Sequence, residues 1–99
     1  MALHATGTIT ANGSVIIPGT PSGRSSLPTT FAILPSSTMG GGTAQLQAGF
    51  VNAAGTTEWI NVGAAFSAAG QAVNVAMRAN YFQIVTAGAT TPSIKWWFG

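Results

Sequence analysis

The chain contains no cysteine, no aspartate and very little charge of either sign. Its 99 residues include one glutamate, one histidine and three lysines and arginines together, so that charged residues make up 4%, where about a quarter is typical. Without cysteine there is no disulfide framework of the kind that stabilises secreted mini-domains. A formal net charge of +2 from scattered cations is too weak for the basic stripe of a nucleic-acid-binding protein. We therefore expect no nucleic-acid partner.

The scarcity of ionisable side chains excludes most catalytic mechanisms. A Ser-His-Asp triad lacks its aspartate, and a pair of carboxylates cannot be built from Glu58 alone. A catalytic zinc site usually takes three protein ligands, whereas His4 and Glu58 are the only candidates in the chain. No glycine-rich loop is followed by Lys-Ser or Lys-Thr, so the phosphate-binding loop is missing. We predict that the protein is not an enzyme and has no metal or cofactor. The alternative is a metal site on the symmetry axis of an oligomer, formed by copies of Glu58 or His4.

Two further segments bear on membranes. The stretch Met1–Gly7 lacks the basic and apolar regions of a signal peptide. The longest weakly polar stretch, Val62–Met77, is interrupted by polar residues and is too short to span a bilayer. We expect no membrane partner.

What the sequence does contain is a regular succession of short strand patterns and turns. Leucine, isoleucine, valine and phenylalanine together number 22, which is enough for one folded domain over residues 1–99. Alternating or apolar runs separated by turn residues about every ten positions predict an all-β fold, an antiparallel β-sandwich or small barrel. The predicted strands are Thr6–Ala11, Ser14–Ile17, Phe31–Leu34, Thr43–Val51, Glu58–Gly63, Gln71–Met77, Tyr81–Thr86 and Ser93–Phe98.

Several connections carry specific expectations. Asn12-Gly13 is a strong hairpin signal between the first two strands. Residues 18–30, rich in Pro, Gly, Ser and Thr, predict an extended loop or arm, and residues 36–42, which end in three glycines, predict a flexible joint. The alanines between residues 64 and 76 would also suit a helix. Because β-branched residues and glycines interrupt that window, we prefer a strand there.

The C-terminal aromatic run predicts an interface. Alternation along a strand puts Trp97 on the face opposite Trp96 and Phe98, so one aromatic set must leave the core. Lys95 is interpreted as the outward residue of an edge strand. Trp59 is expected in the core or on a sheet face rather than as a ligand platform. The predicted interface residues are Arg24, Arg78, Trp96, Trp97 and Phe98. Arg78 could instead be a surface cation or a partner of Glu58.

A resemblance accompanies this pattern over Thr43–Phe98. The residues that carry it are Glu58–Val62, Val73–Val75, Arg78–Ile84 and Pro92–Ile94, with the turns between them. Their order resembles small β-sandwich virion proteins of tailed bacteriophages, among them head decoration (cement) proteins. The resemblance implies a structural protein that binds the capsid exterior and stabilises the junctions between capsid subunits. It also implies the major capsid protein as partner, a trimer as oligomeric state, synthesis in the host cytoplasm and a final place on the virion head.

The low charge and unprotected strand edges independently favour a homo-oligomer. In such an assembly the segment 18–30 would be an arm on which Arg24 could pair with an acidic capsid residue. The alternative function is a fibre-associated or tail-associated glycan-binding module, in which aromatic side chains stack on sugars. The candidates for that role are Trp59, Tyr81, Trp96 and Trp97. The scarcity of carboxylates weakens this alternative.

Overall fold

The computed structural model describes residues 5–17, 29–77 and 79–99. It contains eight strands, each within a few residues of its predicted position, and no helix among the described residues, so the all-β prediction is confirmed. The strands are β1 (Ala5–Ile9), β2 (Gly13–Ile16), β3 (Thr29–Ile33), β4 (Thr43–Val51), β5 (Thr57–Asn61), β6 (Ala72–Val75), β7 (Tyr81–Ala87) and β8 (Ile94–Phe98).

The strands form two four-stranded sheets. The first sheet has the order β1-β8-β3-β6 and the second has the order β2-β7-β4-β5. All neighbouring strands are antiparallel. The chain changes sheet at most of its connections, and this order is that of an eight-stranded jelly roll.

The turn at Asn12-Gly13 is a corner between the sheets, and its prediction as a hairpin is wrong. β1 pairs with β8, whereas β2 pairs with β7 in the other sheet. The Asn12 side chain donates to the Ala89 carbonyl and accepts from the Ala89 amide, both at 3.0 Å. Gly13 has a φ of 128°, which non-glycine residues rarely adopt. The two residues therefore direct the chain across the sandwich instead of back along the same sheet.

The interpretation of Lys95 as an edge residue is also wrong. β8 lies between β1 and β3, in the interior of the first sheet. Lys95 does point away from the core and is half-buried. The edges of the first sheet are β1 and β6.

The segment 36–42 is held in place by neighbouring strands, unlike the flexible joint that its glycines predict. The hydroxyl of Ser37 accepts from the Lys95 amide at 2.8 Å, and Thr38 exchanges two backbone hydrogen bonds with Ser93. Met39 is buried in the core. The predicted arm also ends earlier than expected, because Thr29 and Thr30 belong to β3.

The core fills the space between the sheets and is organised by four phenylalanines. Phe31 and Phe98 from the first sheet lie 6.4 Å apart between ring centroids, and Phe98 lies 5.0 Å from Phe82 of the second sheet. Phe66 adds a contact to Phe31 at 5.5 Å. The rings thus connect both sheets through one continuous aromatic cluster, in which tilted pairs are favourable beyond the area they bury.

One buried polar group in this core has no partner. The side-chain oxygen of Thr86 on β7 makes no hydrogen bond, although Thr86 is 2% exposed. A buried, unsatisfied hydroxyl costs about 1–3 kcal/mol. Replacing Thr86 with valine, which has nearly the same shape, should therefore raise the free energy of unfolding by about 1 kcal/mol. Urea denaturation checks this. Thr86→Ser is the control, since it keeps the hydroxyl and loses a methyl group, and it should destabilise the protein. Equal stability of the valine variant and the wild type would contradict the conclusion that the Thr86 hydroxyl is buried without a hydrogen-bond partner.

Candidate functional site

The candidate site is the outer surface of the second sheet. Cross-strand partners lie on the same face of a sheet. Gly49 on β4 is paired with Trp59 on β5 and with Tyr81 on β7. Two aromatic side chains therefore flank one glycine on the face that points away from the core.

Trp59 covers Gly49 directly. A Cβ atom added to Gly49 would stand 2.6 Å from Cζ3 and 2.9 Å from Cε3 of the Trp59 indole. Gly49 is buried although it faces outward, because the six-membered ring of the indole lies over its backbone. Trp59 itself is half-buried, and Tyr81 is 40% exposed. The prediction that Trp59 lies on a sheet face or in the core agrees with this position.

Beside the two aromatic residues runs a row of side-chain amides. Gln83 on β7 donates from Nε2 to Oε1 of Gln47 on β4 at 2.7 Å. Gln47 in turn donates from Nε2 to Oδ1 of Asn61 on β5 at 2.9 Å. Gln83 is 8% exposed, so Gln47 and Asn61 are the amides of this row that reach the surface. We call the surface formed by Trp59, Tyr81, Gln47 and Asn61, with Gln83 beneath Gln47 in the hydrogen-bond row, the aromatic–amide face.

Two asparagines fix the strand ends that carry the aromatic residues. Oδ1 of Asn52 accepts from the amides of Ala54 and Thr56, both at 3.0 Å, and so shapes the turn that leads into β5. Oδ1 of Asn80 accepts from the Val51 amide at 2.8 Å, and the Asn80 amide donates to the Gly49 carbonyl at 3.0 Å. Trp59 and Tyr81 are consequently held on a rigid part of the sheet.

The aromatic–amide face is electrically neutral. Glu58, the acidic residue of β5, accepts a hydrogen bond from Asn52 Nδ2 at 2.9 Å and lies on the opposite side of the strand from Trp59. Lys95 belongs to the other sheet. Within the part of the chain that the structure describes, no group of three or more metal-ligating side chains is present.

The predicted interface residues have different positions. Trp96 and Phe98 are 3% and 1% exposed, so they belong to the core, and the indole of Trp96 lies over Gly7 of β1. Trp97 points to the outer surface of the first sheet and is half-buried, as alternation predicts. Arg24 and Arg78 lie outside the described residues. Trp97 is therefore the one predicted interface residue whose described side chain reaches the surface, and its role there stays a prediction.

The amides of the site were not among the predicted functional residues. The alternation of β4 is visible in the sequence and puts Gln45 and Gln47 on one face of the strand. Which strands flank β4, and in which register, is not visible there. Only the pairing of β4 with β5 and β7 brings Gln47 next to Asn61 and Gln83.

Comparison with known proteins adds no family: no protein-family model matches the chain, and no curated protein or solved structure is significantly similar to it. The fold and its surfaces thus define the class, a small jelly-roll domain. Within the described residues, no helix is long and apolar enough to cross a membrane.

Proposed function

We propose that the protein is a structural component of a bacteriophage virion, a decoration protein that binds the capsid exterior as a homo-oligomer. The observation that carries this proposal is the exposed, uncharged surface of β2, an edge strand of the second sheet. All four of its residues are exposed, and Val15 and Ile16 retain 38% and 49% of their accessible surface. None of the four is charged.

An uncharged, apolar edge strand is a template for pairing with another chain. Natural proteins that work as monomers protect such edges with lysine, proline or a covering loop. At the opposite edge of the second sheet, Ile60 of β5 is 56% exposed. That edge also carries the exposed charge of Glu58, so it is the β2 edge that favours a protein whose sheet is covered by a neighbouring subunit.

The outer surface of the first sheet offers a second contact region, a row of uncharged residues that runs through Trp97, beside the outward-pointing Lys95. Trp97 lies in one cross-strand row with Thr6 on β1 and Ala32 on β3. Ala72 on β6 continues this row. A half-buried indole among small side chains is typical of an interface anchor. Jelly rolls are also a recurrent fold of viral capsid proteins, which supports the assignment to a virion at the level of the fold. In this role the protein would act by stoichiometric binding, which stabilises the assembled capsid by mass action.

The β2 edge is tested by introducing a charge. Ile16→Lys should convert the oligomer to monomers at micromolar concentration, because a lysine on the edge would have to be desolvated in the interface. Sedimentation velocity measures the change. Ala68→Lys, in the exposed turn between Phe66 and β6 and outside both proposed contact regions, is the control for added charge and should leave the oligomer intact.

The capsid role is tested by cosedimentation with heads assembled from the major capsid protein of the same virus. The wild-type protein should bind these heads in a fixed ratio and raise the temperature at which they break open. A wild-type monomer at micromolar concentration that does not cosediment would overturn the proposal.

A further inference from the structure

We propose that the aromatic–amide face is a binding site for a neutral polysaccharide chain, with Trp59 and Tyr81 stacking on sugar rings and the amide row hydrogen-bonding to their hydroxyls. This site lies on the outer surface of the second sheet, whereas the proposed assembly uses the β2 edge and the surface around Trp97. The inference goes beyond the capsid role and does not depend on it.

The position of Trp59 makes it a suitable platform. Two carbons of its six-membered ring, Cζ3 and Cε3, come within 3 Å of the position that a Cβ at Gly49 would take. The methyl carbon of Thr57 on the same strand would stand 2.8 Å from a Cβ at Gly49 and so borders the same position. These contacts restrict the position of the ring, and Trp59 as a whole is half-buried, so part of it remains accessible. A flat, immobilised aromatic ring loses little entropy when a ligand stacks on it.

Tyr81 extends the platform. It lies on the other side of Gly49, two strands away from Trp59, which corresponds to roughly 10 Å between the two backbones. This spacing is wider than one sugar ring. The face therefore fits a chain with at least two rings in contact rather than a monosaccharide.

The amide row provides the polar part of recognition. Gln47 and Gly49 are two positions apart on β4, so the amides lie roughly 7 Å from the aromatic pair along the strand. Each side-chain amide has two N–H donors and an oxygen with two lone pairs. The hydrogen bonds from Gln83 to Gln47 and from Gln47 to Asn61 use part of this capacity and fix the orientation of the groups. Hydroxyl groups of a sugar, which both donate and accept, can use the remainder.

The charge of the face selects the class of sugar. The side chains that form it, Trp59, Tyr81, Gln47, Gln83 and Asn61, are all neutral. An anionic glycan would lose hydration without gaining a cation as partner from the described side chains of this face. A neutral chain of rings with an apolar C–H side and hydroxyls at the edge matches both the aromatic and the amide parts.

The experiment is a titration of the purified protein with cellohexaose, maltohexaose and N-acetylchitohexaose, with sialyllactose as the anionic comparison. Binding is followed by nuclear magnetic resonance, since the indole N–H signals of the three tryptophans report separately. At least one neutral oligosaccharide should shift the signals of the Trp59 indole and of the Gln47 and Asn61 side-chain amides. The Trp97 indole signal should stay in place.

Variants separate stacking from folding. Tyr81→Ala should weaken binding at least tenfold, whereas Tyr81→Phe should retain it, because stacking needs the ring and not the hydroxyl. Trp59→Ala should abolish binding, and Trp97→Ser is the matched control on the opposite sheet, which should bind normally. If Trp59→Ala fails to fold after losing its contact with Gly49, Gln47→Leu tests the same site through the amides and should also weaken binding.

Three results would overturn the inference. The first is no shift with any neutral oligosaccharide at millimolar concentration. The second is binding that Tyr81→Ala and Gln47→Leu leave unchanged. The third is a change in oligomeric state on replacing Tyr81, which would assign the face to a contact between protein subunits. Ile16 is paired with Gln83 and so borders the amide row, but the two ideas have separate readouts. Sedimentation of Ile16→Lys reports the oligomeric state, and the titration of the Tyr81 and Gln47 variants reports sugar binding, so each idea can fail without the other.

Discussion

Replacing Phe98 with alanine should lower the free energy of unfolding by about 3–5 kcal/mol. Phe98 is 1% exposed and contacts Phe31 of its own sheet and Phe82 of the opposite sheet. Its removal leaves a cavity at the point where the two sheets meet, and the central position of β8 prevents the strand from closing it. Small domains have a total stability of about 5–15 kcal/mol. The variant should therefore be largely unfolded at temperatures that the wild type tolerates.

Urea denaturation followed by circular dichroism measures this change. Ile60→Ala is the control, because Ile60 is 56% exposed and its truncation should cost less than about 1 kcal/mol. A Phe98→Ala variant with the stability of the control would contradict the placement of Phe98 between the sheets.

A second large effect is expected at Gly42, where even a methyl group should cost about 3 kcal/mol, the upper part of the range for overpacking. A Cβ atom there would stand 2.5 Å from the Ala87 carbonyl oxygen and 2.5 Å from the Ala89 amide nitrogen. The first atom belongs to the last residue of β7, which is paired with Thr43 of β4, and the second lies in the backbone of the turn that follows β7, so neither can move aside easily. Gly42→Ala should lower the melting temperature strongly and reduce the yield of folded protein.

The neighbouring Gly41→Ala variant provides the matched control. Gly41 has a φ of 77°, but nothing lies within 4 Å of an added Cβ atom. This variant should lose about 1 kcal/mol, from backbone strain alone. If Gly41→Ala lowers the stability more than Gly42→Ala does, the contact of Gly42 with the Ala87 and Ala89 backbone is not the reason why a glycine is needed there.

The comparison of these glycines explains one limit of sequence analysis. Three glycines in a row are typical of a flexible connection, and the sequence alone predicts one. Gly42 is required because the end of β7 comes close to it, and that approach depends on the pairing of residues more than forty positions apart. Composition describes what a segment can do when it is free, whereas contacts made by distant strands decide what it does in the fold.

The sequence predicts where the strands lie but not which strands pair with each other. Alternation along residues 43–51 predicts the extent of β4 and its core-facing side, Ala44, Leu46, Ala48 and Phe50, of which the first three are buried and Phe50 is partly buried against the core. The predicted hairpin at Asn12-Gly13 fails because the same dipeptide can serve a corner between sheets. Similarly, no local signal tells whether the strand with Lys95 lies at an edge or in the middle of a sheet.

The sequence predicts part of the candidate site. Aromatic residues that could contact a ligand were identified by type, and alternation correctly separated Trp97 from Trp96. Alternation cannot bring Trp59 and Tyr81 to either side of Gly49, because that requires the register of β5 and β7 on β4. Both tryptophans that lie over a glycine, Trp59 over Gly49 and Trp96 over Gly7, follow from cross-strand pairs of this kind.

The place of β8 between β1 and β3 has a consequence for how the chain folds during synthesis. On the ribosome, the first sheet lacks its central strand until residues 94–98 have left the exit tunnel. Until then β1 has no partner in that sheet, since its pairing is with β8. Contacts between strands so distant in sequence also make folding slow. The nascent chain therefore carries the uncharged strand β1 without its partner until residues 94–98 emerge, and a chaperone that binds exposed strands should associate with it until then.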